Sequence, residues 1–337
     1  MLTVLLPTQN RPLFLQRAIE FYEREGLFYK IYVIDSSDSG NKAKVREIVE
    51  SSSLNIKFFD FEFGISAYEK ELESLNVVDS KYVLFAADDD FIFPQAIVQC
   101  VEFLDMHKDY TTAHGRSYLF AVENSGRHGR IKSVEVYPQA NSVSECSQRR
   151  FKTHMRNWTT TAYSVQRTRN MKEIFATHRL FNNDIRLMEI HWYATNIIRG
   201  KVAKLNVDYM FRQASVLKEW SCDTIPDWFG KPGFSEKKDR LVKELSKELT
   251  IKNKRSPEYN YKMCSSEITR WIQDRQPLRP LTLKNILNHS IYYYSNKIKG
   301  KIKLLLNKKI TVDSQIIKKI KAFVEQTESD YKAINVS

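Results

Sequence analysis

The sequence predicts an α/β fold with a mostly parallel sheet flanked by helices. Three observations carry this. Apolar runs of strand length alternate with segments of helical period through residues 2–106. Proline and glycine punctuate those segments where helices begin and end. Two of the apolar runs stop at acids, Asp35 and Asp88-Asp89-Asp90. Strands alternating with helices imply βαβ units, and such sheets bind ligands beyond the carboxyl ends of their strands. Both acidic positions fall at such ends.

Taken in order, residues 2–7 read as a buried strand, and Asn10-Arg11-Pro12 signals a helix start. Phe14, Ala18, Phe21 and Tyr22 recur at helical spacing, and Gly26 suits the helix end. Residues 30–35 form a second strand and 41–52 a helix, with a polar turn from Ser36 to Gly40 between them. A third strand is expected at 56–61, a helix at 66–77, a fourth strand at 81–87 and a helix at 94–106. Beyond 110 the pattern loosens. Strands are expected at 118–122 and 134–137 with a turn at 126–130, β-prone residues at 159–165, a helix at 184–199 ending at Gly200, and a return to the sheet at 202–211. Charged amphipathic helices follow at 236–249 and 259–272, Pro277 and Pro280 break the chain, and the Lys-rich remainder reads as helical. The expected division is a main domain at 1–235, with halves 1–110 and 111–235, and a basic helical region at 236–337.

The 337 residues, 42% of them hydrophobic and 28% charged, are enough to bury a sizeable core, which excludes a disordered chain. Cys100, Cys146, Cys222 and Cys264 are scattered with no zinc-like spacing, so a reducing, cytoplasmic setting is expected. The opening MLTVLLPTQNRP lacks the basic and long apolar stretches of a secretory leader. No run of about 18 apolar residues could span a bilayer.

The strongest chemical signal is the acidic run in Leu84-Phe-Ala-Ala-Asp-Asp-Asp-Phe-Ile-Phe-Pro94. Adjacent carboxylates after a buried strand repel one another, and a divalent cation removes that cost. Hard oxygen ligands suit Mg²⁺ or Mn²⁺, which can bridge to a diphosphate. A solvated acidic turn capping the next helix would account for one aspartate but poorly for three.

Thr3-Val-Leu-Leu-Pro-Thr-Gln-Asn-Arg-Pro12, Val33-Ile-Asp35 and Tyr82-Val-Leu-Phe-Ala-Ala-Asp-Asp-Asp90, in this order and spacing, resemble the family 2 glycosyltransferases of GT-A fold. The Asp-Asp-Asp-Phe-x-x-Pro form resembles bacterial members of surface-polysaccharide gene clusters. The resemblance covers roughly residues 1–215. It implies a nucleotide-diphosphate sugar donor, by family frequency a UDP-sugar, with Pro7, Thr8, Arg11 and Asp35 around the nucleoside and Asp88 or Asp89 near the sugar. It further implies Asp90, with Asp88, as ligands of a Mn²⁺ or Mg²⁺ ion and Lys70 facing the diphosphate. A solvated turn acid at Asp35, a helix-start arginine at Arg11 and an exposed helix lysine at Lys70 are the plainer readings.

An inverting transfer needs a base to take the acceptor hydroxyl's proton. The family keeps it on a helix about three turns before a glycine. With Gly200 as that glycine, Glu189 is the matching acid and Asp184 the second candidate. His191 and Trp158 are weak candidates for the acceptor pocket, with Asn157 beside Trp158. Where related enzymes often place a histidine ligand this chain has Ala214, leaving the aspartates, diphosphate and water, with His191 or Gln213 as substitutes.

The net charge of +13 is concentrated late in the chain. From Arg275 to Val312 there is no acid, while Ile291-Tyr-Tyr-Tyr294 and Leu304-Leu-Leu306 interleave with lysines. Such a segment, about 280–310, reads as a contact for an anionic membrane, placing the enzyme on the inner face of the cell membrane with a glycan or lipid-linked acceptor. A docked helix with a solvated lysine face is the other reading. No nucleic-acid recognition motif is present. Of the rival functions, a nucleotidyltransferase would carry a Gly-rich phosphate loop where Pro7-Thr-Gln-Asn-Arg11 has no glycine. A catalytically silent scaffold would not need three acids.

Overall fold

A computed structural model describes residues 1–123, 127–214, 228, 230–275 and 314–325. The chain opens with strand β1 (Leu2–Thr8), helix α1 (Pro12–Arg24), β2 (Lys30–Asp35), α2 (Ser39–Ser51), β3 (Ile56–Asp60), α3 (Ala67–Asn76), β4 (Tyr82–Phe85), β5 (Phe91–Ile92) and α4 (Pro94–Met106). It continues with β6 (Tyr110–Val122), β7 (Ile131–Tyr137), α5 (Ser147–Arg156), β8 (Val165–Arg167), α6 (Thr168–Thr177), a 3₁₀ turn (His178–Phe181), α7 (Ile185–Arg199) and β9 (Lys201–Gln213). Helices α8 (Phe234–Asn253), α9 (Pro257–Gln273) and α10 (Ser314–Val324) follow.

All nine strands join one sheet in the order β3-β2-β1-β4-β8-β6-β9-β5, with β7 added on β6. Strands β3, β2, β1 and β4 are mutually parallel, as is the β6–β9 pair, while β8 runs antiparallel between β4 and β6. The register Thr8↔Asp35 and Leu5↔Phe85 brings the ends of β1, β2 and β4 to one edge.

Period-two alternation sends side chains to two cores. Leu2, Val4, Leu6, Ile31, Val33, Tyr82 and Leu84 face the layer that holds α1 and α4. Leu5, Tyr32, Ile34, Val83 and Phe85 face the opposite layer, with residues of α3, α6 and α7.

The C-terminal helices do not form a separate body. Leu241, Leu245 and Leu249 of α8 and Cys264, Ile268 and Trp271 of α9 belong to the second core. Ile320, Phe323 and Val324 of α10 are buried in the first core, and Lys319 pairs with Glu25 at 3.2 Å. Helix α10 is thus docked on the sheet domain, whereas the basic segment of about 280–310, for which a membrane contact or a docked helix was expected, lies outside the described residues. Among the described residues no helix is long and apolar enough to cross a membrane.

Two helices and one strand escape the sequence pattern for a physical reason. The buried face of α5 is built from Phe151 and Met155 together with Arg150 and His154, so its apolar period is concealed. Arg150 offsets its burial by donating to the carbonyls of Ile197 and Ile198 at 2.7 and 2.8 Å, which satisfies two orphan groups at the end of α7. The run 159–165 is strand only from Val165, because the residues before it turn at Thr161 to Ser164. Helix α6 follows that strand without a break.

Gly115 marks where the β6–β9 register shifts between His114 and Arg116. A Cβ there would meet the Val207 carbonyl oxygen at 2.3 Å. Gly115→Ala is expected to cost about 1–3 kcal/mol and lower the melting temperature. An unchanged melt by circular dichroism would contradict this close approach.

Candidate active site

The site begins in two loops sewn to each other. After β1 the chain turns through Asn10, whose left-handed φ of 56° asparagine tolerates well. The Asn10 amide donates to Ser37 Oγ at 2.7 Å, and Asn10 Oδ1 accepts from the Asp38 amide at 2.9 Å. Lys70, on α3, donates from Nζ to the Thr8 carbonyl at 2.9 Å and to Ser36 Oγ at 2.8 Å. It is buried, not a solvated lysine, and desolvation lowers its pKa despite the favourable charges of Glu71, Asp35 and Asp88. Its present contacts hold the loops, and its ammonium lies beside both acidic positions.

Asp35 is fully buried at the end of β2. Its Oδ1 accepts from the Ser37 amide at 3.1 Å and the Ser37 hydroxyl at 2.5 Å, while Oδ2 has no hydrogen-bond partner. Burial raises its pKa, partly offset by those two hydrogen bonds and by Lys70. A buried carboxylate oxygen left open at a sheet edge is built to accept from an N–H or hydroxyl of a ligand.

The acidic run follows β4. Asp88 Oδ2 accepts from Thr8 Oγ1 at 2.8 Å, and Asp88 Oδ1 lies 2.9 Å from Arg11 NH1. Asp89 Oδ2 pairs with Arg11 NH2 at 2.8 Å. One guanidinium thus spans two carboxylates, which fits its forked geometry. Asp90 is 1% exposed. Its Oδ1 accepts from the Gln213 amide at 3.0 Å; its Oδ2 has no hydrogen-bond partner and lies 3.9 Å from Arg212 Nε. Burial first, and then the charge of Asp89, raise its pKa well above the ordinary carboxylate value.

Beneath the run lies Arg17 of α1, an inward-facing arginine on an otherwise apolar helix face. Its NH2 donates to Gln213 Oε1 at 2.7 Å and to the Asp89 carbonyl at 3.3 Å, and it packs over the rings of Phe14 and Phe91. Desolvation lowers its pKa to about 10, so it stays charged at neutral pH.

The acids bear on a metal ion through Asp90 Oδ2, a buried oxygen without a partner. Two of the three carboxylates share the single positive charge of Arg11, and among the described residues no group of three or more His, Cys, Asp or Glu gathers in metal-ligating fashion. Gln213 is committed through its side chain to Arg17, and Ala214 donates its amide to the Phe120 carbonyl, so neither supplies the missing ligand. A cation here would depend on Asp90, Asp88 and the diphosphate it accompanies.

Next to this edge opens a cavity of about 350 Å³, lined by Pro7, Ala87, Glu71, Tyr163, Glu189, Trp192 and Arg212 among others. Tyr68, Phe85, Phe175 and Tyr193 extend its aromatic wall. Glu189 projects into it from the second turn of α7, reachable by solvent through the cavity. Desolvation by the surrounding protein raises its pKa, while Arg186 and Arg212 pull it back down. Arg212 packs over Tyr137 and Tyr163, with ring centroids 5.1 and 4.9 Å away, and hydrogen-bonds the Tyr137 hydroxyl. The acids and phenols around it raise its pKa, so it is a permanent cation between the acidic run and the cavity.

Three expected site residues do not reach the cavity. Asp184 is the N-cap of α7, accepting from the Leu187 amide at 3.3 Å and from Trp228 Nε1 at 3.0 Å, with Lys237 at 3.5 Å. Its carboxylate holds a helix end and is not part of the cavity lining. His191 is buried against Phe181 and His178, with centroids 5.3 Å from each, because a position two residues after Glu189 points to the other side of the helix. Trp158 stacks with His154, Tyr193 and Trp271 as packing between α5 and α9, while Asn157 bonds back to Thr153. Sequence reasoning overlooked Arg17, Glu71, Tyr163 and Arg212. Only Arg17 left a signal, as a charge on the apolar stripe of α1.

No family model and no curated relative matches the sequence. Solved structures do match. The Staphylococcus aureus TarS fragment 1–349 in complex with UDP-GlcNAc superposes with a TM-score of 0.50 at 14% identity, over 80% of this chain and 72% of that one. The mannosyltransferase PcManGT from Pyrobaculum calidifontis in complex with GDP-Man and Mn²⁺ gives a TM-score of 0.42 at 13% identity, over 96% and 84%. At 14% identity the likeness to the TarS fragment speaks for the fold alone, a mixed sheet flanked by helices of GT-A type.

His191 makes a solution prediction. Burial lowers its pKa to about 3, that of His154 to about 3, and that of His178 well below the usual 6.5. The unfolded chain then takes up protons first as pH falls. Stability is complete above the unfolded value and is lost between about 6.5 and 3, by up to about 1.4 kcal/mol per pH unit for each histidine. Urea midpoints should drop between pH 7 and pH 5; equal midpoints would show these rings to be protonated and outside the core.

Proposed function

We propose that this chain is an inverting glycosyltransferase. It moves a sugar from a nucleoside-diphosphate donor, by family resemblance a UDP-sugar, to a hydroxyl of a glycan or lipid-linked acceptor in bacterial surface-polysaccharide synthesis. The observation that carries the reading is one sheet edge where an open carboxylate oxygen (Asp35), a cluster of cations (Arg11, Lys70, Arg212) and an aromatic cavity with an unpaired glutamate (Glu189) adjoin.

Each group has a task the chemistry requires. Asp35 Oδ2 accepts from the nucleoside while Pro7 and Thr8 shape the loop around it. The diphosphate is drawn to the positive field of Arg11, Lys70 and Arg212. Asp90 and Asp88 would hold a Mn²⁺ or Mg²⁺ ion, which when bound supplies further positive charge to the diphosphate. The transferred sugar occupies the cavity, where Tyr163, Trp192 and Tyr193 offer ring faces to its C–H surfaces. Glu189 takes the proton from the acceptor hydroxyl as that oxygen bonds to the anomeric carbon. The bond from that carbon to the diphosphate breaks, and its electron pair leaves with the diphosphate. The raised pKa of Glu189 makes it a better base than an ordinary carboxylate, and Arg186 and Arg212 favour its anion.

The reading is tested by incubating the protein with a panel of sugar nucleotides and Mn²⁺ and measuring release of the nucleoside diphosphate. At least one donor should be turned over. Glu189→Gln should lower kcat by about 10²–10⁴-fold with nucleotide affinity retained. Asp90→Asn should weaken Mn²⁺-dependent nucleotide binding by about 10–100-fold in calorimetry. Release of pyrophosphate from nucleoside triphosphates instead, or no turnover of any donor together with no nucleotide binding, would overturn it.

A further inference from the structure

The mechanism above uses one of two carboxylates in the cavity. The other is Glu71, one turn after Ala67 on α3, with Tyr68 and Ala67 beside it in the lining. Neither Glu71 nor Glu189 makes a hydrogen bond or ion pair among the described residues, although several other inward acids do. Asp88, Asp89, Asp184 and Asp208 each hold a guanidinium, lysine, amide or indole partner. Glu71 is half-buried and Glu189 exposed, so both carboxyls are open to a ligand that enters this largely apolar, aromatic cavity.

We propose that Glu71 is a second substrate-binding carboxyl of the transfer site, working in its neutral form as an O–H donor to an oxygen of the sugar while Glu189 works as the anion. The inference deepens the glycosyl-transfer reading and rests on it. The charged and titratable groups around Glu71 come from four elements and a loop. Lys70 and Tyr68 share its helix, Glu189 and Tyr193 lie on α7, Arg212 on β9, His178 on the 3₁₀ turn after α6, and Tyr163 in the loop before β8. Of these, Lys70 favours the ionised form and Glu189 opposes it, while burial outweighs both and pushes Glu71 up to about 7. His178 contributes no charge, being held neutral.

The consequence is a division of labour set by position. Glu189 has Arg186 and Arg212 to stabilise its charge. Glu71 has only Lys70, whose ammonium is already committed to the Thr8 carbonyl and Ser36. As pH falls through about 7 the proton shared by the pair therefore goes first to Glu71, the carboxyl with the fewer cations beside it. During transfer the acceptor proton passes to Glu189, the new bond forms from the acceptor oxygen to the anomeric carbon, and the diphosphate departs with the electron pair. Glu71 keeps its proton throughout. Once it ionises, the cavity holds two anions beside a leaving diphosphate, and the hydrogen bond to the sugar is gone.

Two measurements decide this. In the free protein with ¹³C-carboxyl-labelled glutamate, one resonance should titrate near pH 7, be absent in Glu71→Gln, and move to lower pH in Glu189→Gln. No glutamate titrating above about pH 5.5, or one that persists in Glu71→Gln, overturns the proposal. The second measurement is the pH profile of nucleoside-diphosphate release from a turned-over donor such as UDP-N-acetylglucosamine. The wild-type rate should fall up to about tenfold per pH unit above 7. Glu71→Gln, neutral at every pH and still a donor, should remove that alkaline limb, while Glu71→Ala should raise KM for the sugar nucleotide without restoring the limb. An alkaline limb unchanged in Glu71→Gln overturns the proposal. Should wild type turn over no sugar nucleotide, the glycosyl-transfer reading fails and the shared proton is still settled by the carboxyl titration. Should Glu71→Gln not fold, the shift of the resonance in Glu189→Gln decides it.

Discussion

Three consecutive carboxylates buried at the end of a strand would drive that end apart unless positive charge came to them, and the surrounding structure is arranged so that it does. Arg11 bridges Asp88 and Asp89 from the loop after β1. Arg17 rises beneath them from α1 and ties the Asp89 backbone to Gln213. Arg212 approaches Asp90 from the last strand of the sheet. These contacts join chain segments that are distant in sequence, so the loop after β1, the loop after β4 and the end of β9 are held in one arrangement by charge balance as much as by apolar packing. Buried ion pairs gain little over apolar contacts in net stability, yet losing one partner is expensive, so they specify an arrangement more than they strengthen it.

The balance is incomplete. Asp35 Oδ2 and Asp90 Oδ2 are left without hydrogen-bond partners in an interior where most polar atoms find one. Glu71 and Glu189 stand in the cavity with no partner among the described residues. The two buried open oxygens, of Asp35 and Asp90, are a stability cost, and proteins keep such costs where a ligand compensates them. The nucleoside, a diphosphate with its cation, and a sugar are together a ligand with donors and positive charge at the right places.

Much of this was legible in the sequence, and what was not has identifiable causes. Through residue 106 each expected helix and strand is present within a residue or two, because strand and helix periods there are read by a single apolar face. The pattern fails where polar side chains are buried, as in α5 with Arg150 and His154. Asp35 and the acidic run were visible because helix capping alone needs one carboxylate at a strand end, not three in a row. Glu189 was placed by the family resemblance, which sets the base about three turns before a glycine, and the cavity wall shows where it points but not what it does. Asp184 looked similar in sequence, since a helix-capping aspartate and a base at a helix start differ only in which way the side chain turns. Arg212 and Glu71 could not be read at all: each is an ordinary charge on its own element and acquires a role only when β9 and α3 converge on the cavity.

The central claim is that a nucleoside diphosphate binds across the ends of β1, β2 and β4. Hydrogen–deuterium exchange with and without UDP and Mn²⁺ tests it directly. The account predicts added protection of the backbone at Thr8–Arg11, Ser36–Ser37 and Asp88–Asp90, with α9 unchanged. Protection confined to other regions, such as the charged groove around Arg167, Arg199 and Lys201 on the far side of α7, would contradict it.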